Sequence, residues 1–220
     1  VRAARFAAAT ALVLLTAAGC GTQEAEVDAP ETSAASDDAT ISLEGAPLIA
    51  DDIPVANTPP GGWTEPPAPV LTGCTEPLVE GAPDLRGVWR AVSASRDGAP
   101  VPADDRSLTN VQRIEQCGDR ITITSGGIIH DMRADGSVER GVHDVAERDY
   151  TTPITVVATY EDGTHVLRPV GIDVQVTRRL DGDRLIWNYL GTEVVLERVG
   201  GPDDPFPEPA TGLTTDAEES

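Results

Sequence analysis

Between residues 73 and 199 the chain is cut by glycine- and aspartate-based turn signals into runs too short for anything but strands. The signals are Cys117-Gly118-Asp119, Ser125-Gly126-Gly127, Ala134-Asp135-Gly136, Glu161-Asp162-Gly163, Asp181-Gly182-Asp183 and Gly191. Asp-Gly supplies the positive φ that tight hairpin loops need. The runs between them, such as "RITITS", "PITVVATY" and "RLIWNYL", are β-branched or alternate with period two. Strands bounded this way and recurring every ~8–12 residues indicate a sandwich or barrel. No stretch in this region carries an apolar stripe at helical spacing. Consecutive short hairpins predict an all-β, up-and-down antiparallel meander. One of about eight to ten strands hides its edges by closing into a small β-barrel. One connection is long, residues 96–110, and its prolines argue against helix. Residues 140–152 read as irregular or as a weak strand.

The flanks are different material. Residues 20–72 read as an acidic, proline-rich flexible tether: positions 21–72 hold ten acidic residues and no basic one. Such a segment buries too little apolar surface to offset its ordering entropy. Within it, residues 41–56 have some apolar content and either dock on the domain or are less polar tether, and Trp63 is either a stray linker aromatic or a small contact with a partner; the tether reading is favoured for both. Residues 200–220 form a disordered acidic tail by the same reasoning. With a formal net charge of −21 and no lysine, the chain is not a nucleic-acid binder, because counterion release needs basic side chains on phosphates.

Residues 1–19 have the anatomy of a secretory signal: Arg2 and Arg5, an apolar run from Phe6 to Ala18, and small residues at the cut. The run is short of the ~20 residues a bilayer span needs. Ala17-Ala18-Gly19-Cys20 resembles the lipobox of bacterial lipoproteins. That resemblance implies a lipid on Cys20 and an exported protein anchored in the cell envelope. Gly21, in place of the aspartate that retains some lipoproteins in the inner membrane, favours the outer membrane. Three cysteines leave one over in an exported protein. Cys20 takes that place, and Cys74 and Cys117 are left to pair as a disulfide worth about 4 kcal/mol on the chain-entropy model.

Gly87-Val88-Trp89 at the mouth of the first strand, a long first loop, a meander and a last strand with Arg198 together resemble lipocalin-like proteins. In that family the tryptophan closes the barrel's end and a basic side chain of the last strand packs across its ring. The resemblance implies these roles for Gly87, Trp89 and Arg198, with Arg179 as a second candidate for the packing cation. It also implies a barrel that takes a small apolar or amphipathic ligand. A second resemblance is to small envelope lipoproteins related to bacterial metalloprotease inhibitors, also barrels with an early Gly-x-Trp and a disulfide. It implies a packed barrel that binds protein, as an inhibitor or an envelope assembly factor.

No catalytic, phosphate-binding or metal-ligand motif is present. His130, His143 and His165 read as exposed or singly bonded histidines, and no metal or other cofactor is expected. The sequence therefore predicts a non-catalytic protein: signal 1–19, tether 20–72, lipocalin-like barrel 73–199 and tail 200–220. Its expected partners are a membrane, through the lipid, and either a small apolar ligand or an envelope protein.

Overall fold

A computed structural model of the protein describes residues 47–207. Five of the six turn signals make two-residue hairpin loops: 118–119, 126–127, 162–163, 182–183 and 190–191. The sixth, 134–136, lies in a longer connection. Asp162 and Gly163 have φ of 47° and 74°, the left-handed pair that matches a hairpin loop to the strand twist.

These loops join eleven strands: β1 (Gly87–Arg96), β2 (Ala99–Pro100), β3 (Val111–Cys117), β4 (Arg120–Ser125), β5 (Ile128–Arg133), β6 (Val142–Val145), β7 (Pro153–Glu161), β8 (Thr164–Pro169), β9 (Val176–Asp181), β10 (Arg184–Tyr189) and β11 (Thr192–Gly200). Every pairing is antiparallel, in the order β5-β4-β3-β1-β11-β10-β9-β8-β7-β6, with β2 on β1 alone. Because β1 pairs with both β3 and β11, the meander curls into a nearly closed barrel of ten strands. The long connection 96–110 holds β2 and a 3-10 turn at Arg106–Thr109. Residues 142–145, read as irregular or weak strand, are β6.

The sheet is interrupted between β5 and β6. There the backbones meet through Arg133 N–H donating to Arg140 O at 2.8 Å. Residues 47–72 cover this region, and this corrects the reading of the whole of 20–72 as tether. Ala56 N–H donates to Asp131 of β5 and Thr58 N–H to Asp144 of β6, at 2.9 and 3.1 Å. The Thr58 hydroxyl donates to Asp144 (2.8 Å) and accepts Ile129 N–H (2.9 Å), so this one residue stitches both edges. Trp63 is held too, its indole donating to Ile128 O at 3.0 Å. The reason is hydrogen-bond accounting: a segment without a ladder of its own must find partners elsewhere, and here charged side chains on the barrel's outer wall supply them. Arg120, paired with Asp131, also donates to the carbonyls of Ala50, Ile53 and Pro54 at 2.6–2.8 Å. Glu115 accepts Leu71 N–H at 2.6 Å. The disulfide Cys74–Cys117, with Cα atoms 5.9 Å apart, ties the end of this strap to β3.

The C-terminal boundary moves as well. Within the expected tail, Asp204 O accepts from Arg113, and the Phe206 ring lies under the same guanidinium at 4.8 Å and 5.7 Å from Trp63. Both layers explain why β4 is buried along its whole length and β3 nearly so, on both faces. Cys20, the signal segment 1–19, residues 20–46 of the tether and the tail beyond 207 lie outside the described residues. Among those described, no helix is long and apolar enough to cross a membrane.

Candidate functional site

Strand direction gives the barrel two unlike ends. At one end, where β1 begins, the barrel is plugged. Trp89 and Leu85 are fully buried, and the indole N–H donates to Leu85 O at 2.8 Å. The Arg198 guanidinium lies 4.5 Å from the Trp89 ring centroid and donates to Arg86 O. Arg198, not Arg179, is the cation over the ring. Gly87 has φ 145°, and a Cβ there would sit 3.0 Å from Gly200 O; only glycine meets both conditions. These three residues form one cluster, and it is closed packing with the indole's polar group already satisfied.

The opposite end is open. A cavity of about 660 Å³ lies between the β1–β3 connection, the β6–β7 loop and the β10–β11 turn. Trp187 and Val194, cross-strand partners on β10 and β11, form its floor. Trp187 and Tyr189 stack with centroids 5.7 Å apart and planes 13° from parallel. Arg96, Arg106 and Arg148 stand on the walls, but each is already paired: with Asp105 at 3.2 Å, Glu147 at 3.5 Å and Asp149 at 3.3 Å. Burial pushes the Glu147 carboxyl above its ordinary range, against the pull of Arg106 and Arg178. At the same end of the barrel is an apolar lip: Val170 and Ile172 on the β8–β9 loop, and Leu190 on the β10–β11 turn, which also lines the cavity, are each more than half exposed. Leu190 has φ 48°, a conformation that suits asparagine or glycine and strains leucine.

Beneath the floor the interior is polar. The ladder register aligns Tyr160, His165, Arg178 and Trp187 across β7, β8, β9 and β10 as direct neighbours on one face. His165 is fully buried and, among the described residues, neither ring nitrogen has a hydrogen-bond partner. Burial, then the charge of Arg178, pushes its pKa down to about 3, so the ring is neutral at pH 7. Arg178 is 6% exposed, donates through Nε to Gln112 Oε1 at 2.9 Å, and leaves Nη1 unmatched. Its guanidinium carbon lies 5.6 Å from the Trp187 ring centroid, and the Trp187 indole N–H is also without a partner.

No family model matches the chain, and no curated protein matches it. Among solved structures, human cRBP IV is similar, with a TM-score of 0.40 and 17% sequence identity over 52% of this chain and 98% of that one.

The histidines divide. His143 is exposed with Nε2 2.7 Å from Val138 O, and His130 has Nε2 3.3 Å from Val145 O. His165, expected to be exposed or singly bonded, is neither, because it occupies an inward position of β8. Among the described residues no group of three histidine, cysteine or acidic side chains converges as a metal site. Two smaller cavities carry less unmet chemistry. One of about 330 Å³ lies along the β5–β6 seam, but its Arg120, Arg133 and Arg140 are already paired with aspartates. The other, about 320 Å³, lies against the outer side of the Trp89–Arg198 plug.

The signal for the interior row was present in the sequence. Arg178 falls in phase with Val176 and Leu180, His165 with Leu167, and Trp187 with Leu185, all core residues. Period-two phasing puts each polar side chain on the inward face.

Proposed function

We propose that the protein is a non-catalytic binder of a small amphipathic ligand, taken at the open mouth of the barrel, and that a lipid on Cys20 holds it at the cell envelope. The observation that carries the first half is the cavity of about 660 Å³ floored by Trp187. Its size falls within the roughly 300–1,000 Å³ of small-molecule sites, and it combines an aromatic and apolar floor with polar walls whose arginines are already paired, which suits an amphipathic molecule. The contrast between the ends supports the reading. The Trp89 end has spent its polar groups on itself, whereas the mouth presents an aromatic pair and an apolar lip to solvent. The Gly87–Trp89–Arg198 cluster supports a lipocalin-like relationship. The lipobox-like run Ala17-Ala18-Gly19-Cys20 supports export and anchorage, with Gly21 favouring the outer membrane.

A second reading is a protein-binding module, an inhibitor or an envelope assembly factor. The exposed side chains of Val170, Ile172 and Leu190 favour it, since they would also suit a protein partner.

One experiment tests both halves. The wild-type protein and the Cys20→Ser variant are fractionated, and each is examined by native mass spectrometry with octanoate, decanoate and tetradecanoate. The expected result is wild type in the membrane fraction, the variant in the soluble fraction, and a one-to-one fatty-acid adduct on both. Continued membrane association of the variant would contradict the anchor. A missing adduct on both proteins would contradict the cavity reading.

A further inference from the structure

We infer that the ligand is a carboxylate, and that its anionic group is received at the row His165–Arg178–Trp187 beneath the cavity floor. This rests on the reading that the mouth cavity takes an amphipathic ligand, and it names the class of that ligand.

The inference starts from what each arginine near the mouth already has. Arg96, Arg106 and Arg148 each meet a carboxylate within 3.5 Å. Arg178 does not: its one hydrogen bond is to the neutral amide of Gln112, although it is almost wholly buried. Glu147 acts on it only through space, and itself pairs with Arg106. A buried guanidinium is costly unless something of opposite charge meets it.

The neighbours of Arg178 sharpen the class. Trp187 offers only an N–H, and neutral His165 always carries one. Both are adjacent to Arg178 in the ladder, and neither has a partner. A buried donor left unmatched costs about 1–3 kcal/mol. Each of the three neighbours has an unmatched donor, and the unprotonated nitrogen of His165 is the one acceptor beside them; such a set fits an acceptor-only group with several lone pairs, and a carboxylate has four lone-pair sites. A cation would be repelled by Arg178. An alcohol would match at most two donors and leave the charge unmet.

Trp187 is the member of the row that lines the cavity, and Arg178 and His165 lie behind it; the acceptor therefore reaches them past the Trp187 ring. The apolar remainder of the ligand then lies along Trp187, Tyr189 and Val194 toward Leu190.

The test is a matched pair, decanoate and methyl decanoate, which share a chain and differ in charge. Affinities are measured by calorimetry on wild type, Arg178→Met and Trp187→Phe. Wild type is expected to bind decanoate about tenfold or more tighter than the ester, the size of one charge-assisted hydrogen bond. Arg178→Met is expected to abolish that preference. Trp187→Phe keeps an aromatic floor and removes one donor, so it is expected to reduce the preference without abolishing it. That variant and the wild-type pair decide the matter if Arg178→Met does not fold. Equal affinity for acid and ester in wild type would overturn the inference and leave the cavity reading intact. Binding of neither would overturn both.

Discussion

Glu115 shows how one side chain can hold architecture and make it depend on pH. It is 2% exposed, accepts Leu71 N–H through one carboxylate oxygen, and has no partner for the other. Burial pushes its pKa up to about 7 from an ordinary 4.5, against the opposing pull of the Leu71 hydrogen bond and Arg113. The native state therefore holds this proton more tightly than the unfolded chain. The resulting stabilisation is complete below about pH 4.5 and is lost as pH rises to about 7, a change of about 3 kcal/mol. His165 and His130, whose pKa values are lowered by burial, act in the opposite sense below pH 6.5, so the total curve is flatter than any one group's. A difference measurement isolates Glu115. Glu115→Gln keeps an acceptor for Leu71 and cannot ionise. Its stability relative to wild type, from urea unfolding, is expected to grow by about 3 kcal/mol between pH 4.5 and 7.5. A difference that stays constant across that range would contradict the assignment.

The strap of residues 47–72 is the element that sequence reading placed least well. Its lack of periodicity is real, and periodicity reports ladders and helical faces. What holds the strap is of another kind: its backbone groups bond to charged side chains whose positions on β3, β4 and β5 are distant in sequence. Arg120 is the central clamp, making five hydrogen bonds of 2.6–2.8 Å to Asp131 and to the carbonyls of residues 50, 53 and 54. No local pattern around Arg120 announces this. The hairpins, by contrast, were legible, because a glycine paired with aspartate or with a second glycine acts within two residues. Arg120→Met is expected to cost about 3–5 kcal/mol, since it leaves a buried Asp131 carboxylate unpaired. Hydrogen exchange should rise first at residues 50–58, with amides of β9 and β10 protected longest. Uniform acceleration across barrel and strap would show that the strap does not open separately.

At the scale of the whole molecule the barrel has a shut end and an open one. The shut end was legible through the lipocalin-like resemblance, which pointed to Gly87, Trp89 and Arg198, although Arg198 lies on a strand far from the other two in sequence. The open end was not, because its floor is assembled from β10 and β11 and its rim from three separate loops. Whether an inward arginine is paired or bare depends on side chains that only the closed sheet brings near. The three tryptophans divide along the same line. The Trp63 indole N–H is bonded to Ile128 O and that of Trp89 to Leu85 O, while that of Trp187 has no partner and stands at the cavity floor. The most direct test of the mouth as a binding site is therefore nuclear magnetic resonance of the three indole N–H groups during a decanoate titration. A saturable shift of the Trp187 resonance, with Trp63 and Trp89 unmoved, is the result this account predicts. An unmoved Trp187, or equal drift of all three, would contradict it.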